Sequence, residues 1–395
     1  MHFEGSKLVL PVLIVITAYA QPRVEAAAGA TAAGIRKVGD MIIYSDEKFY
    51  SAFPSVVQRK DGELLVAFRR APERRMLGEA ATRHTDPNSY LVLVRSRDEG
   101  RTWSHVPELI YAHPFGGSQD PGMVQLRDGS IVCTSYGWSL LNGDAAAKLK
   151  GAAREGNFVF LGGYLLRSTD GGHTWQGPII PPPTPGEATL DLFGKPVPAY
   201  NRGALCEGGD GKLYWVVAAS TSPTPVRSET HLFVSPDKGA TWKYSCRVAA
   251  DEKVAFNETS LYETPHGDLI AFMRTEGFGD HTAVARSIDH GKSFRHWEDT
   301  GFQGHPHHAL RLPDKRVLLV YGHRHPPFGI RARVLDAECG NFRSALEIIL
   351  RDDGGNGDLG YPWATMISKH QALVVYYFNS RDGIRHIAGT VLAVD

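Results

Sequence analysis

Five histidines, His305, His307, His308, His323 and His325, fall within twenty-one residues of each other, with Arg324 among them. Imidazole is the side chain whose charge changes between pH 5 and 8, so such a group suits proton transfer. His305 and His307 are two apart, which on a strand puts both rings on one face, close enough to share a metal or a substrate hydroxyl. Three readings follow: metal binding, substrate contact or acid–base work with His307 and His323 foremost, and ordinary packing at a rim. Elsewhere Asn257-Glu258-Thr259 is a glycosylation sequon as well as a strand entry. Cys133, Cys206, Cys246 and Cys339 are scattered with no C-x-x-C pair, which argues against a zinc ribbon or a disulfide framework and for small core residues, with one bridge allowed.

The elements that must carry these residues repeat. A short β-prone run, a turn and a second apolar run occur six times, at residues 55–70, 123–138, 205–220, 261–275, 310–324 and 365–379. Asp61-Gly62, Asp128-Gly129 and Asp210-Gly211 mark hairpin turns, and Gly267, Asp314 and Lys369 stand at the matching places in the other three. A second motif, S-x-D-x-G-x-[TS]-[WF], recurs at Ser96–Trp103, Ser168–Trp175, Ser235–Trp242 and Ser287–Phe294, with a degenerate copy at Leu335–Phe342. In such a turn Ser and Asp side chains bond nearby N–H groups, Gly supplies a positive φ and the aromatic ring packs back as a peg. Six units of four short strands predict an all-β, six-bladed β-propeller. Residues 41–45 and 384–394 are expected to pair in one blade and close the ring, because an open ring leaves unpaired edges. Long inserts fall at Arg69–Asn88, Tyr136–Gly163 and Gly177–Tyr200.

The chain has 395 residues, 42 of them Gly and 24 Pro, and 43 Lys+Arg balance 43 Asp+Glu. Zero net charge removes the broad cationic surface needed for nucleic acid or an anionic membrane, so any anion site is local. Leu8–Ala20 is apolar and ends in Ala18-Tyr19-Ala20, which reads as a signal peptide over residues 1–20 and implies a secreted or periplasmic protein with no membrane insertion after cleavage. Residues 21–36 are expected as a disordered leader and 37–395 as the propeller domain.

The four S-x-D-x-G-x-[TS]-[WF] turns are Asp boxes, and with the six hairpins the chain resembles the sialidase (neuraminidase) superfamily over nearly all its mature length. The resemblance implies a glycosidase releasing terminal sialic acid or a related nonulosonic acid with retention, on a sialylated or other anionic glycan, without cofactor or metal. It implies Tyr361, in Gly360-Tyr361-Pro362, as nucleophile; Glu258 as the base that activates it; and Arg274 and Arg324 as ligands of the substrate carboxylate. A neutral phenol suits a substrate with a carboxylate on the anomeric carbon, which repels an anionic nucleophile. Paired guanidinium donors suit a carboxylate as Lys does not. The first carboxylate-binding Arg of the family's F-R-I-P segment is replaced by Ala52, in Ala52-Phe53-Pro54, with Arg69 or Arg70 as substitutes, and the acid–base residue is expected to be Asp86 or His84.

Two other classes share these residues. A propeller lyase acting on uronates uses Arg to neutralise a carboxylate and His with Tyr to move protons, and a non-catalytic glycan-binding propeller needs no nucleophile.

Overall fold

The computed structural model describes residues 31–32, 34–79, 84–149, 157–223, 226–379 and 383–395. The proposed signal peptide and most of the leader lie outside them. The described chain is a ring of six antiparallel sheets. Blade 1 runs through Phe49–Gln58, Leu64–Pro72, Tyr90–Ser96 and Glu108–Tyr111. Blade 2 uses Gly117–Gln125, Ile131–Leu140, Phe158–Ser168 and Gln176–Ile179. Blade 3 uses Cys206–Glu207, Leu213–Pro223, Val226–Ser235 and Lys243–Ala249. Blade 4 uses Ala255–Glu263, Leu269–Glu276, His281–Ser287 and Glu298–Gln303. Blade 5 uses His307–Arg311, Val317–His323, Gly329–Leu335 and Glu347–Arg351. Blade 6 uses Gly360–Ser368, Gln371–Asn379 and Arg385–Val394, and is completed by Ile35–Tyr44 from the other end of the chain.

Each expected hairpin is the first and second strand of a blade. The expected closure forms as well, with Met41 opposite Gly389 and Ile42 opposite Ala388. One boundary differs: the closing strand starts at Ile35, inside the segment expected as leader, and Thr31–Ala32 pairs back on it. The fully buried Ile35 side chain packs between blades 5 and 6, which fixes the segment in place.

The second strands explain the unbroken apolar runs of the sequence. In blade 1, Leu64, Val66 and Phe68 face the cluster shared with blade 6, while Leu65 and Ala67 face the one shared with blade 2. A strand buried on both faces has no polar side to alternate with. Six apolar clusters fill the six gaps between blades, so there is no single core but a closed circle of interfaces.

The Asp boxes are built as their residue types require. Ser96 Oγ donates to Asp98 Oδ1 at 2.8 Å and accepts from Gly100 N–H at 2.9 Å. Asp98 accepts from the backbone N–H and hydroxyl of Thr102, at 2.9 and 2.6 Å. The Trp103 indole N–H returns to Gly100 O at 3.1 Å. The same bonds recur around Asp170, Asp237 and Asp289. Gly291, at φ 76°, shows why glycine is needed: a Cβ there would come within 2.5 Å of Leu232. The degenerate copy keeps Asp336 accepting from Gly340 N–H at 3.0 Å. All four cysteines are free thiols. Among the described residues no helix is long and apolar enough to cross a membrane.

Candidate active site

In four of the six blades the first strand breaks register near its entry. In blade 1 the break lies between Ala52 and Ser55, in blade 2 between Gln119 and Gly122, in blade 4 between Phe256 and Thr259, and in blade 6 between Gly360 and Trp363. Bulges of this kind re-aim side chains. Phe53, Asp120 and Tyr361 take positive φ values of 58°, 34° and 53°, and each is followed by proline. For non-glycine residues this conformation is strained and tends to mark functional positions. Phe53, Asp120, Arg202 and Tyr361 each stand eight residues before the hairpin-turn residues Asp61, Asp128, Asp210 and Lys369, and Glu258 stands eight before His266, which with Gly267 occupies the place of Asp61-Gly62. Five blades therefore deliver one equivalent residue each to a common centre.

Three of the expected residues meet there. The Tyr361 hydroxyl donates to Glu258 Oε1 at 2.5 Å, and Arg274 Nη1 donates to Glu258 Oε2 at 2.9 Å and to the Tyr361 oxygen at 3.3 Å. Arg274 lies near the end of the second strand of blade 4, across from the bulge that carries Glu258, so one hairpin sets the ion pair. Burial works to raise the Glu258 carboxyl, but Arg274 and the bonds from Tyr361 and Arg274 outweigh it and hold it below the usual carboxylate range. Burial, then the Glu258 charge, pushes the Tyr361 phenol well above its ordinary value, against Arg274. Together these leave a protonated phenol hydrogen-bonded to an ionised carboxylate.

Two members of the set were not expected from the sequence. Asp120 is 1% exposed; its Oδ2 accepts from the Tyr136 hydroxyl at 2.9 Å and its Oδ1 has no hydrogen-bond partner. Burial and the Glu258 charge raise it to about 6, despite Arg202 and His84. Arg202 is buried beneath the centre, donates to Tyr361 O at 3.1 Å and Pro54 O at 3.2 Å, and lies 4.5 Å from the Tyr361 ring centroid. The signal that finds both is the constant offset from the turn.

Of the other expected site residues, Arg324 adjoins this trio and the rest make their contacts outside it. Asp86 is held by a bidentate Arg74, at 2.6 and 2.8 Å, and by Asn88 N–H, so it anchors a turn. His84 sits edge-on to Phe53, with Nδ1 3.8 Å from Asp358, and is one ring removed from Tyr361. Arg69 is fully buried over Tyr50 and Phe53, and Arg70 is tied to Asp46 at 2.8 Å. Arg324 lies 5.0 Å from the Tyr361 ring centroid and donates to Leu359 O and to the Tyr377 hydroxyl, both at 3.0 Å.

The histidines do not form one group. His307 is fully buried with Nε2 2.7 Å from Thr282 Oγ1, His308 stacks on Trp363, and His305 and His325 flank Asp280 at 3.6 and 3.0 Å. His323 is half-buried, its ring 5.8 Å from that of His325. Burial keeps His307 and His308 neutral, near 3, and lowers His323 as well. No group of three or more His, Cys, Asp or Glu among the described residues is arranged to hold a metal ion.

A cavity of about 210 Å³ opens at the centre. Blade 2 and the segment after it line it with Tyr136, Trp138, Phe160 and Tyr200; blade 3 lines it with Ala218, Ser220 and Ser228; blade 4 lines it with Asn257, Glu258, Arg274 and Glu276; and Arg202 lines it as well. Two cations and two anions thus balance, so Arg274 stands paired rather than in a cluster of unopposed arginines.

The sequence profile of the BNR repeat-like domain matches residues 156–366, more than half of the chain. The chain belongs to the BNR repeat-like domain family. No curated protein matches its sequence. Among solved structures, a protein of unknown function from Dyadobacter fermentans is 57% identical with a TM-score of 0.90, over 92% of this chain and 100% of that one. A Hadza microbial sialidase is 18% identical with a TM-score of 0.63, covering 90% of this chain and 68% of that one. An α-L-arabinanase of Penicillium chrysogenum is 14% identical with a TM-score of 0.61, over 90% and 98% of the respective chains. This BNR repeat-like propeller therefore has the sialidase-like six-bladed fold, which an arabinanase also adopts.

Proposed function

We propose that the protein is a retaining glycoside hydrolase that releases a terminal sialic acid or related nonulosonic acid from glycoconjugates, acting outside the cytoplasm after loss of residues 1–20. The observation that carries the reading is the Tyr361–Glu258 bond of 2.5 Å with Arg274 on both groups. A phenol poised on a carboxylate is the nucleophile expected for an anomeric centre that bears its own carboxylate. Arg274 then meets that carboxylate, while Arg202 and Arg324, near the ring, favour the negative charge that grows on the phenol as it attacks.

The Tyr361 oxygen bonds to the anomeric carbon and its proton passes to Glu258. The bond to the leaving oxygen breaks, and that oxygen takes a proton from the Tyr136 hydroxyl, which Asp120 replenishes. Tyr136 lines the cavity and bonds to the nearly inaccessible Asp120, so the pair acts as a relay in place of Asp86 or His84. In the second step water attacks the glycosyl-tyrosine, its proton returns through Tyr136 to Asp120, and Glu258 hands its proton back to Tyr361.

The test is incubation with a sialoglycan and with a uronate-containing polysaccharide. Proton NMR should detect free sialic acid, initially in the anomeric configuration of the substrate. Unsaturated product absorbance without sialic acid, or initial inversion, would contradict the proposal.

A further inference from the structure

Asp358 stands three residues before Tyr361, just ahead of the first strand of blade 6, and takes no part in the reaction above. Its carboxylate accepts from two buried phenols: Tyr50 reaches Oδ1 at 2.9 Å and Oδ2 at 3.0 Å, and Tyr377 reaches Oδ1 at 2.9 Å. Arg385 Nε donates to Oδ2 at 2.9 Å. Burial works to raise the Asp358 carboxyl, but His84, Arg385 and the Tyr50 bond outweigh it and hold it below the usual carboxylate range. Burial, against the Arg324 charge and with that of Asp358, pushes the Tyr377 phenol well above its ordinary value. Tyr377 thus keeps its proton, points it at Asp358 and leaves only oxygen lone pairs for its other neighbour. That neighbour is Arg324, whose Nη2 donates to the Tyr377 oxygen at 3.0 Å.

Arg324 is held at two points, Nη2 on Tyr377 and Nε on the carbonyl of Leu359, the residue after Asp358. Two anchors fix the plane of a guanidinium that a single one leaves to swing. Blades 5 and 6 come close enough for both because glycines meet there: a Cβ on Gly360, at φ 112°, would lie 3.2 Å from Gly322 Cα. So fixed, the guanidinium carbon lies 5.0 Å from the Tyr361 ring centroid. We infer that Asp358 is a positioning residue: by orienting the Tyr377 hydroxyl it sets Arg324 against the Tyr361 ring, where negative charge grows as the phenol attacks. This rests on the proposed reaction for its purpose, whereas the chain of hydrogen bonds stands without it. Asp358 acts through Tyr377 and Arg324 and does not touch the sugar.

The test uses two variants of the full-length protein. Asp358→Asn removes the charge that orients Tyr377, and Tyr377→Phe removes only the link, leaving Asp358 with Tyr50 and Arg385. Nitrogen-15 NMR of arginine Nε–H groups, with the Arg324 signal assigned by its loss in Arg324→Lys, needs no turnover. That signal should exchange slowly with solvent in the wild type and fast in both variants. On sialyllactose each variant should lower kcat about 10–100-fold with KM within about threefold, because the stabilisation is given only as charge develops. The double variant should match the slower single one within about threefold, because both changes cut one chain. Near-ultraviolet circular dichroism confirms that each variant is folded, and where Asp358→Asn does not fold, Tyr377→Phe alone decides. A fast-exchanging Arg324 signal in the wild type, an unchanged signal in either folded single variant, or rate losses that multiply in the double variant would overturn the positioning role. A role confined to holding the loop leaves Tyr377→Phe silent in both measurements, which also overturns it. Faster exchange in both variants of a protein that releases no sialic acid sinks the reaction alone.

Discussion

At the scale of residues, the centre separates two carboxyls by environment. Glu258 faces Arg274 and stays ionised, whereas Asp120 is buried beside Glu258 and is raised to about 6. A base and an acid held apart in this way can work in one pH range. The limb of kcat/KM on the alkaline side should therefore fall near pH 6, where Asp120 loses its proton. Asp120→Asn and Tyr136→Phe should each lower kcat about 10²–10⁴-fold on a natural glycan and much less on a substrate with a nitrophenyl leaving group, which needs no proton. The same burial has a stability consequence. Because the folded value lies above the unfolded one, the folded protein keeps a proton that the unfolded chain has lost between about pH 4 and 6. Stability falls as pH rises through that window. Asp120→Asn should accordingly be more stable than wild type at pH 7, by about 1–3 kcal/mol, with the gap closing below pH 4 in thermal melts; a destabilised Asn variant at pH 7 would contradict the assignment.

At the scale of elements, the Asp-box turns carry acid sensitivity. Hydrogen bonds to the carboxylates hold Asp98, Asp170, Asp237 and Asp289 below their usual range, against some burial. For a carboxyl with a lowered folded value, the stabilisation is present above the unfolded value near 4 and is lost as pH falls toward the folded one. Thermal melts between pH 5 and 2.5 should show the midpoint dropping, and Asp237→Asn should drop less than wild type over that range while starting lower. Equal slopes would contradict this. Hairpins and Asp boxes were legible because their chemistry is local: a turn needs its Asp, Gly and aromatic within eight residues. The bulged strand entries were harder to see, since Asp120 and Arg202 look like ordinary loop residues until counted back from the turns. His307 misled for a related reason. Strand spacing put it on one face with His305, but the strand begins only at His307, whose ring is buried against Thr282 and Tyr321.

At the scale of the molecule, function comes from closing the ring. Tyr361 and Glu258 are 103 residues apart in the chain, and they meet because six equivalent strands converge on one axis. The family resemblance made Tyr361, Glu258 and Arg274 readable and brought in Arg324 beside the Tyr361 ring, whereas Asp86 is engaged by Arg74 and Arg69 lies over Tyr50 and Phe53. Zero net charge is reproduced in miniature in the cavity, where Arg202 and Arg274 balance Glu258 and Glu276. The central claim is that Tyr361 becomes covalently bonded to the substrate. Peptide mass mapping after reaction with a fluorinated glycosyl fluoride of sialic acid, which slows release of the intermediate, should find the sugar on the peptide containing Tyr361 and nothing on Tyr361→Phe. An adduct on Glu258 or Asp120, or turnover with no adduct at all, would contradict it.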